Sequence, residues 1–157
     1  MLEALAPEAR EEYLSVRRET SARAAESTMP ELFRRAQAFE RAFVKAGGLL
    51  GSGVDPTGTG GALPGFGDQR NYELLLEAGF TPTEAIKIMT LNGATILGVD
   101  RQLGSIAAGK LADLVVIRGN PIAQPAEIRN VTIVFKDGVG YDAPKLQATV
   151  KGQVGIR

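Results

Sequence analysis

The sequence predicts an α/β chain in two regions: a helix-rich stretch over residues 1–103 that contains one short strand, and a β-rich stretch over residues 104–157. Three observations carry this. Apolar residues recur at helical spacings through most of the first region. Leu49-Leu50 interrupts that period directly before a loop crowded with glycine. From Leu114 onward the apolar residues come in short, β-branched runs separated by turn signals.

Taken in order, residues 7 to 20 read as a helix rich in Glu and Arg with few apolar anchors (Tyr13, Leu14, Val16), a solvated helix on the outside of the fold. Leu32, Ala36, Phe39 and Phe43 then form one apolar stripe on a helix whose other face carries Arg34, Arg35, Glu40 and Arg41. Thr28 and Glu31 have the spacing of a capping box, Pro30 sits in the tolerant first turn, and Gly47-Gly48 follow the helix end. The run Gly48-Leu49-Leu50-Gly51-Ser52 predicts a short buried strand feeding a loop that holds Gly53, Gly58, Gly60, Gly61, Gly65 and Gly67. Residues 69 to 78 predict the next helix, closed by Gly79. Thr81-Pro82-Thr83-Glu84 places a capping hydroxyl, a first-turn proline and a reaching glutamate so that another helix begins at Pro82. Ala85, Ile86, Met89, Ala94 and Leu97 are its expected core residues, with Asn92-Gly93 kinking or dividing the segment and Met89 filling space.

The period then changes. Leu114-Val115-Val116-Ile117 is a strand ended by Gly119-Asn120-Pro121, and Val131 to Phe135 is a second. Asp137-Gly138 is a two-residue hairpin signal that returns the chain through Val139 to Tyr141, completing a small antiparallel sheet. Asp113, just ahead of the first strand, reads as a turn or backbone-bonding residue rather than a catalytic acid.

Composition narrows the function. The 157 residues are 44% hydrophobic, enough for a buried core. Lys plus Arg and Asp plus Glu number 18 each and are mixed along the chain, so no basic stripe awaits a phosphate backbone and no nucleic-acid partner is expected. No run approaches the ~20 apolar residues of a membrane span, and the amino terminus lacks a basic region followed by an apolar one. A soluble chain is expected. With no Cys there is neither a disulfide framework nor a thiolate zinc site, which slightly favours the cytoplasm and leaves a secreted enzyme open. There is no His either, so any metal site would lack imidazole ligands from this polypeptide.

The glycine-rich loop lacks the Gly-Lys-Ser/Thr ending of a phosphate-binding loop, which argues against a nucleotide site. Asp55, in Gly51-Ser52-Gly53-Val54-Asp55-Pro56, carries two readings. Asp-Pro is an ordinary turn initiator. A carboxylate at the carboxyl end of a buried strand is also where α/β enzymes expose reactive side chains.

Four motifs in order resolve the larger pattern: Gly51-Ser52-Gly53-Val54-Asp55; Glu73-Leu74-Leu75-Leu76-Glu77-Ala78-Gly79-Phe80-Thr81-Pro82-Thr83-Glu84-Ala85; Thr90-Leu91-Asn92-Gly93-Ala94; and Gly104-Ser105-Ile106-Ala107-Ala108-Gly109-Lys110-Leu111-Ala112-Asp113-Leu114-Val115-Val116. Together with Asn130-Val131 through Lys136-Asp137-Gly138, they resemble the carboxyl-terminal portion of the metal-dependent amidohydrolase superfamily, with its imidazolonepropionase- and prolidase-like members, over roughly residues 29 to 142.

The resemblance implies a carboxyl-terminal fragment of a (β/α)8 TIM barrel, with residues 48 to 52 as the last barrel strand, plus part of a small β-sandwich domain in residues 104–157. It implies that Asp55 binds a metal, takes a proton from the metal-bound water and delivers it to the leaving amine. The usual Gly-Thr-Asp is Gly53-Val54-Asp55 here, which keeps the carboxylate and removes the neighbouring hydroxyl.

The expected activity is hydrolysis of a C–N bond in an amide, dipeptide or cyclic amide by a metal-activated water, in an enzyme completed by the upstream barrel. The divalent metal, zinc by expectation, belongs to that complete enzyme, and none is expected on this chain alone. The partners expected are a small-molecule substrate and, for the chain itself, a second copy or the missing barrel portion, with Leu49 and Leu50 in the contact. The alternative is a non-catalytic, truncated interaction module.

Overall fold

A computed structural model describes residues 2–55, 62–63 and 65–155. Among the described residues six α-helices and three strands run in the order α1 (Pro7–Ala22), α2 (Met29–Lys45), α3 (Gly67–Glu77), α4 (Pro82–Lys87), α5 (Gly93–Ile96), β1 (Leu114–Ile117), β2 (Val131–Lys136), β3 (Val139–Asp142) and α6 (Ala143–Thr149). Among the described residues no helix is long and apolar enough to cross a membrane.

The core forms where α3 turns into α4. Tyr72, Leu75, Phe80, Ala85 and Ile88 make its buried cluster, and Val44, Leu50, Met89 and Ile128 pack around it. The start of α4 is as the sequence predicts. Thr81 is extended (φ −68°, ψ 156°), so its hydroxyl accepts from the Glu84 amide while the Glu84 carboxylate accepts from the Thr81 amide at 2.7 Å. A π-helical turn, Ile88–Asn92, separates α4 from α5, which is the division expected at Asn92-Gly93. Ala94 is buried, but Ile86 and Leu97 are exposed, Leu97 to 75%, and Ile88 takes the inward position instead. Ile86 precedes the turn and is exposed because Ala85 and Ile88, three residues apart, are the pair that faces the core.

Helix α1 buries no residue, consistent with a solvated outer helix. In α2, two expectations are corrected. Thr28 is helical (φ −82°, ψ −9°) and makes no side-chain cap; the Ser27 hydroxyl accepts from the Met29 amide instead. Glu31 bonds Arg34 and Arg35 rather than reaching back. The stripe of Leu32, Ala36, Phe39 and Phe43 is exposed. The helix docks by a different line, spaced four and three: Gln37 donates to the Leu74 carbonyl at 3.2 Å, the Arg41 guanidinium lies 4.8 Å from the Phe80 ring centre, and Val44 meets the core. The stripe forms as a stripe, but the core of this chain lies on another side of the helix.

A further correction concerns residues 48–52, the expected strand, which are described and carry none. Among the described residues the sheet consists of three strands, Leu114–Ile117, Val131–Lys136 and Val139–Asp142, so these residues join no ladder.

The sheet is antiparallel in the order β1-β2-β3. Leu114 opposes Phe135, the register shifts between Val116 and Ile117, and Lys136 opposes Val139. Asp137 and Gly138 both take positive φ (50° and 81°), the geometry of a two-residue turn matched to strand twist. Asp113 is structural: it pairs with Lys136 at 2.6 Å and accepts from the Asp137 amide at 2.7 Å. Lys136 first, then that amide, holds its carboxyl below the usual range.

The β-rich part is fastened to α3. The Tyr72 hydroxyl donates to the Pro121 carbonyl at 2.9 Å, and Arg129 and Arg70 both pair with Glu73. Arg129, ahead of Arg70, holds the Glu73 carboxyl below its usual range against the opposing effect of burial. Because the folded value lies below the unfolded one of about 4.3, the stabilisation is complete above that pH and is lost as pH falls through the folded value. Both arginines are nearly half exposed, so the expected contribution is only about 1 kcal/mol. Urea midpoints measured between pH 6 and pH 3 should decline less for Glu73→Gln than for the unsubstituted chain, and equal declines would remove Glu73 from the account.

Candidate functional site

The candidate site is the end of the irregular segment 48–55, with Asp55 as its last residue. The segment leaves α2 and crosses the core, where Leu50 is half-buried and Leu49 faces outward at 46% exposure. Lacking a ladder, two of its carbonyls are taken by side-chain amides. Asn92, nearly buried in the π-helical turn, donates Nδ2 to the Leu50 carbonyl at 2.8 Å. Asn71, in the second turn of α3, donates Nδ2 to the Gly53 carbonyl at 2.8 Å. Each bond satisfies a main-chain acceptor that a strand neighbour would otherwise satisfy. Val54 seats against Gly67, the first residue of α3, where a Cβ would fall 2.6 Å from Val54 Cγ1. That position has no room for a side chain.

Asp55 itself is exposed. Pro56, the partner of Asp55 in the expected turn, and the loop glycines Gly58, Gly60 and Gly61 lie outside the described residues. Two shallow hollows of about 270 and 250 Å³ lie elsewhere, one between the chain ends beside Glu3, Gln147 and Lys151, the other along α1. Neither is lined by Asp55.

A divalent metal does not fit the groups present. Among the described residues there is no cluster of three or more His, Cys, Asp or Glu side chains that could hold one, and the sequence supplies no imidazole or thiolate. One carboxylate is too few ligands.

Sequence reasoning singled out Asp55 but missed the two amides. Asn71 is an unfavourable residue for the body of a helix, and Asn92 lies in the turn between two. That cost was the available signal, but it names no acceptor.

The sequence profile of the amidohydrolase family matches residues 36–140. An imidazolonepropionase of Erwinia tasmaniensis is 44% identical over 72 residues, 43% of this chain and 17% of that protein. An adenine deaminase of Clostridium botulinum is 38% identical over 77 residues, 45% of this chain and 13% of that protein. Among solved structures, a prolidase complexed with N-methylphosphonate-L-proline aligns with a TM-score of 0.58 at 28% identity, over 69% of this chain and 26% of that one. The chain therefore spans between about an eighth and about a quarter of these relatives.

Proposed function

This chain belongs to the amidohydrolase family, and on that premise we propose that it is the carboxyl-terminal part of a metal-dependent hydrolase of C–N bonds, with Asp55 as its catalytic carboxylate and one metal ligand. The observation that carries the proposal is positional. Asp55 ends a segment whose last carbonyls are anchored by Asn92 and Asn71, inside the region matched by the family profile. On this reading residues 48 to 52 would be the last barrel strand in the complete enzyme, where its ladder partners would come from the rest of the barrel. Residues 1–103 would then be barrel and residues 104–157 a share of the β-sandwich. The remaining ligands for the metal, zinc by our reading, would come from the rest of the barrel. The substrate is an amide, dipeptide or cyclic amide; the three relatives differ in this respect, and no side chain described here chooses among them.

The chain alone should be inactive and should hold no metal tightly, since one carboxylate cannot replace the ligand set such sites use. Calorimetric titration of zinc and of manganese into the purified chain, beside an Asp55→Ala variant, tests this. Stoichiometric tight binding abolished by Asp55→Ala would reveal a site made wholly within these residues and overturn the reading.

The exposed stripe of Leu32, Phe39 and Phe43, with Leu49 nearby in sequence, supports pairing with the missing barrel portion or a second copy. Leu50 already packs on the core, which leaves Leu49 as the open member of that pair. Light scattering with chromatography over a dilution series should give a mass above the monomer. A compact monomer that persists on dilution and binds no hydrophobic dye would count against the barrel-fragment architecture.

A further inference from the structure

The two residues before Asp55 are both held by one helix. Gly67 and Asn71 are four residues apart in α3 and so share a face. Gly67 receives the Val54 side chain, and Asn71 bonds the carbonyl of Gly53 at 2.8 Å. The adjacent face carries Tyr72 and Leu75 into the core, and Glu73 pairs with Arg129 across to the β-rich part. Helix α3 is thus fixed by packing and an ion pair, and it meets the residues leading to Asp55 with a rigid surface.

We infer that the first two turns of α3 are a clamp that sets the Asp55 backbone, with Asn71 as its positioning residue and the Val54–Gly67 contact as its second point. This rests on the proposed role of Asp55. The physical need is plain. Segment 48–55 has no ladder to fix it, and a reacting carboxylate must be held to within about 0.5 Å by groups that are themselves locked. The contact also gives the valine of Gly53-Val54-Asp55 a place: Val and Thr share a branched shape, and what Gly67 accommodates is that shape rather than a hydroxyl.

The test uses the full chain labelled with ¹⁵N and ¹³C. Asn71→Leu removes the donor without adding charge, and Gly67→Ala pushes a methyl into Val54. Each should shift and broaden the signals of Gly53, Val54 and Asp55 while leaving those of the Asp137-Gly138 hairpin in place. Adding Val54→Ala to Gly67→Ala should return the Gly53 and Asp55 signals toward their original positions, a rescue that general destabilisation of α3 would not show. Unmoved signals at 53–55 in Asn71→Leu, or a double variant no better ordered than Gly67→Ala, would overturn the clamp.

In the enzyme completed by its barrel, Asn71→Leu should lower kcat on the order of 10- to 100-fold with KM little changed. If Asp55→Asn there leaves kcat intact, the role of Asp55 fails while the spectra still judge the clamp. If Asp55→Asn abolishes turnover and Asn71→Leu does not lower it, the positioning role fails alone.

Discussion

In the enzyme completed by the rest of its barrel, Asp55→Asn should lower kcat by roughly 10²- to 10⁴-fold, the range that a positioned general base contributes. The amide is nearly the shape of the carboxylate and Asp55 is exposed, so the core and the contacts at Gly53 and Val54 should survive the change. What is lost is the ability to accept a proton from the attacking water. The effect should therefore fall on kcat and equally on kcat/KM, with KM within a few-fold of its original value. Steady-state kinetics at neutral pH on the natural substrate would decide. A variant that turns over at close to the original rate would return Asp55 to the status of a turn residue, and the proposed catalytic role would be lost.

Tyr72→Ala should destabilise the chain by about 3–5 kcal/mol, the cost of emptying a fully buried aromatic site. Tyr72 is the fully buried large side chain of the core, and its neighbours Leu75, Phe80, Ala85 and Ile88 come from both arms of the α3–α4 turn. Its hydroxyl also reaches the Pro121 carbonyl, and burial pushes that hydroxyl's pKa up. Tyr72→Phe separates the two contributions: the ring stays, one hydrogen bond goes, and about 1 kcal/mol should be lost. Urea denaturation of the three proteins at one pH measures both steps. A Tyr72→Ala midpoint indistinguishable from the original would mean that this cluster is not the core that holds α3 in place, and the clamp beneath Asp55 would lose its foundation.

The two capping signals show how far local reading extends. Thr28 with Glu31 and Thr81 with Glu84 have the same spacing and a proline in the first turn, yet only the second pair forms the reciprocal bonds. Thr81 is extended and its glutamate is free to reach back; Thr28 is helical and Glu31 is taken by Arg34 and Arg35. The hairpin at Asp137-Gly138 was legible because two adjacent residues and their φ values suffice to make it. Asp55 was legible through a motif, whereas Asn71 and Asn92, which hold its segment, were not: their acceptors lie 18 and 42 positions away.

By itself, then, the sequence determined the family kinship, the helices up to α5 though not α6, the start of α4, the hairpin and the structural role of Asp113, since these rest on residue types acting over a few positions or on motifs in fixed order. Only the tertiary structure decided which face of α2 turns inward, which residues follow the π-helical turn into the core, and how an unladdered segment is held beneath Asp55. The physical reason is range: periodicity places an apolar stripe on a helix, but burial and the pairing of a distant carbonyl depend on what the rest of the chain brings alongside.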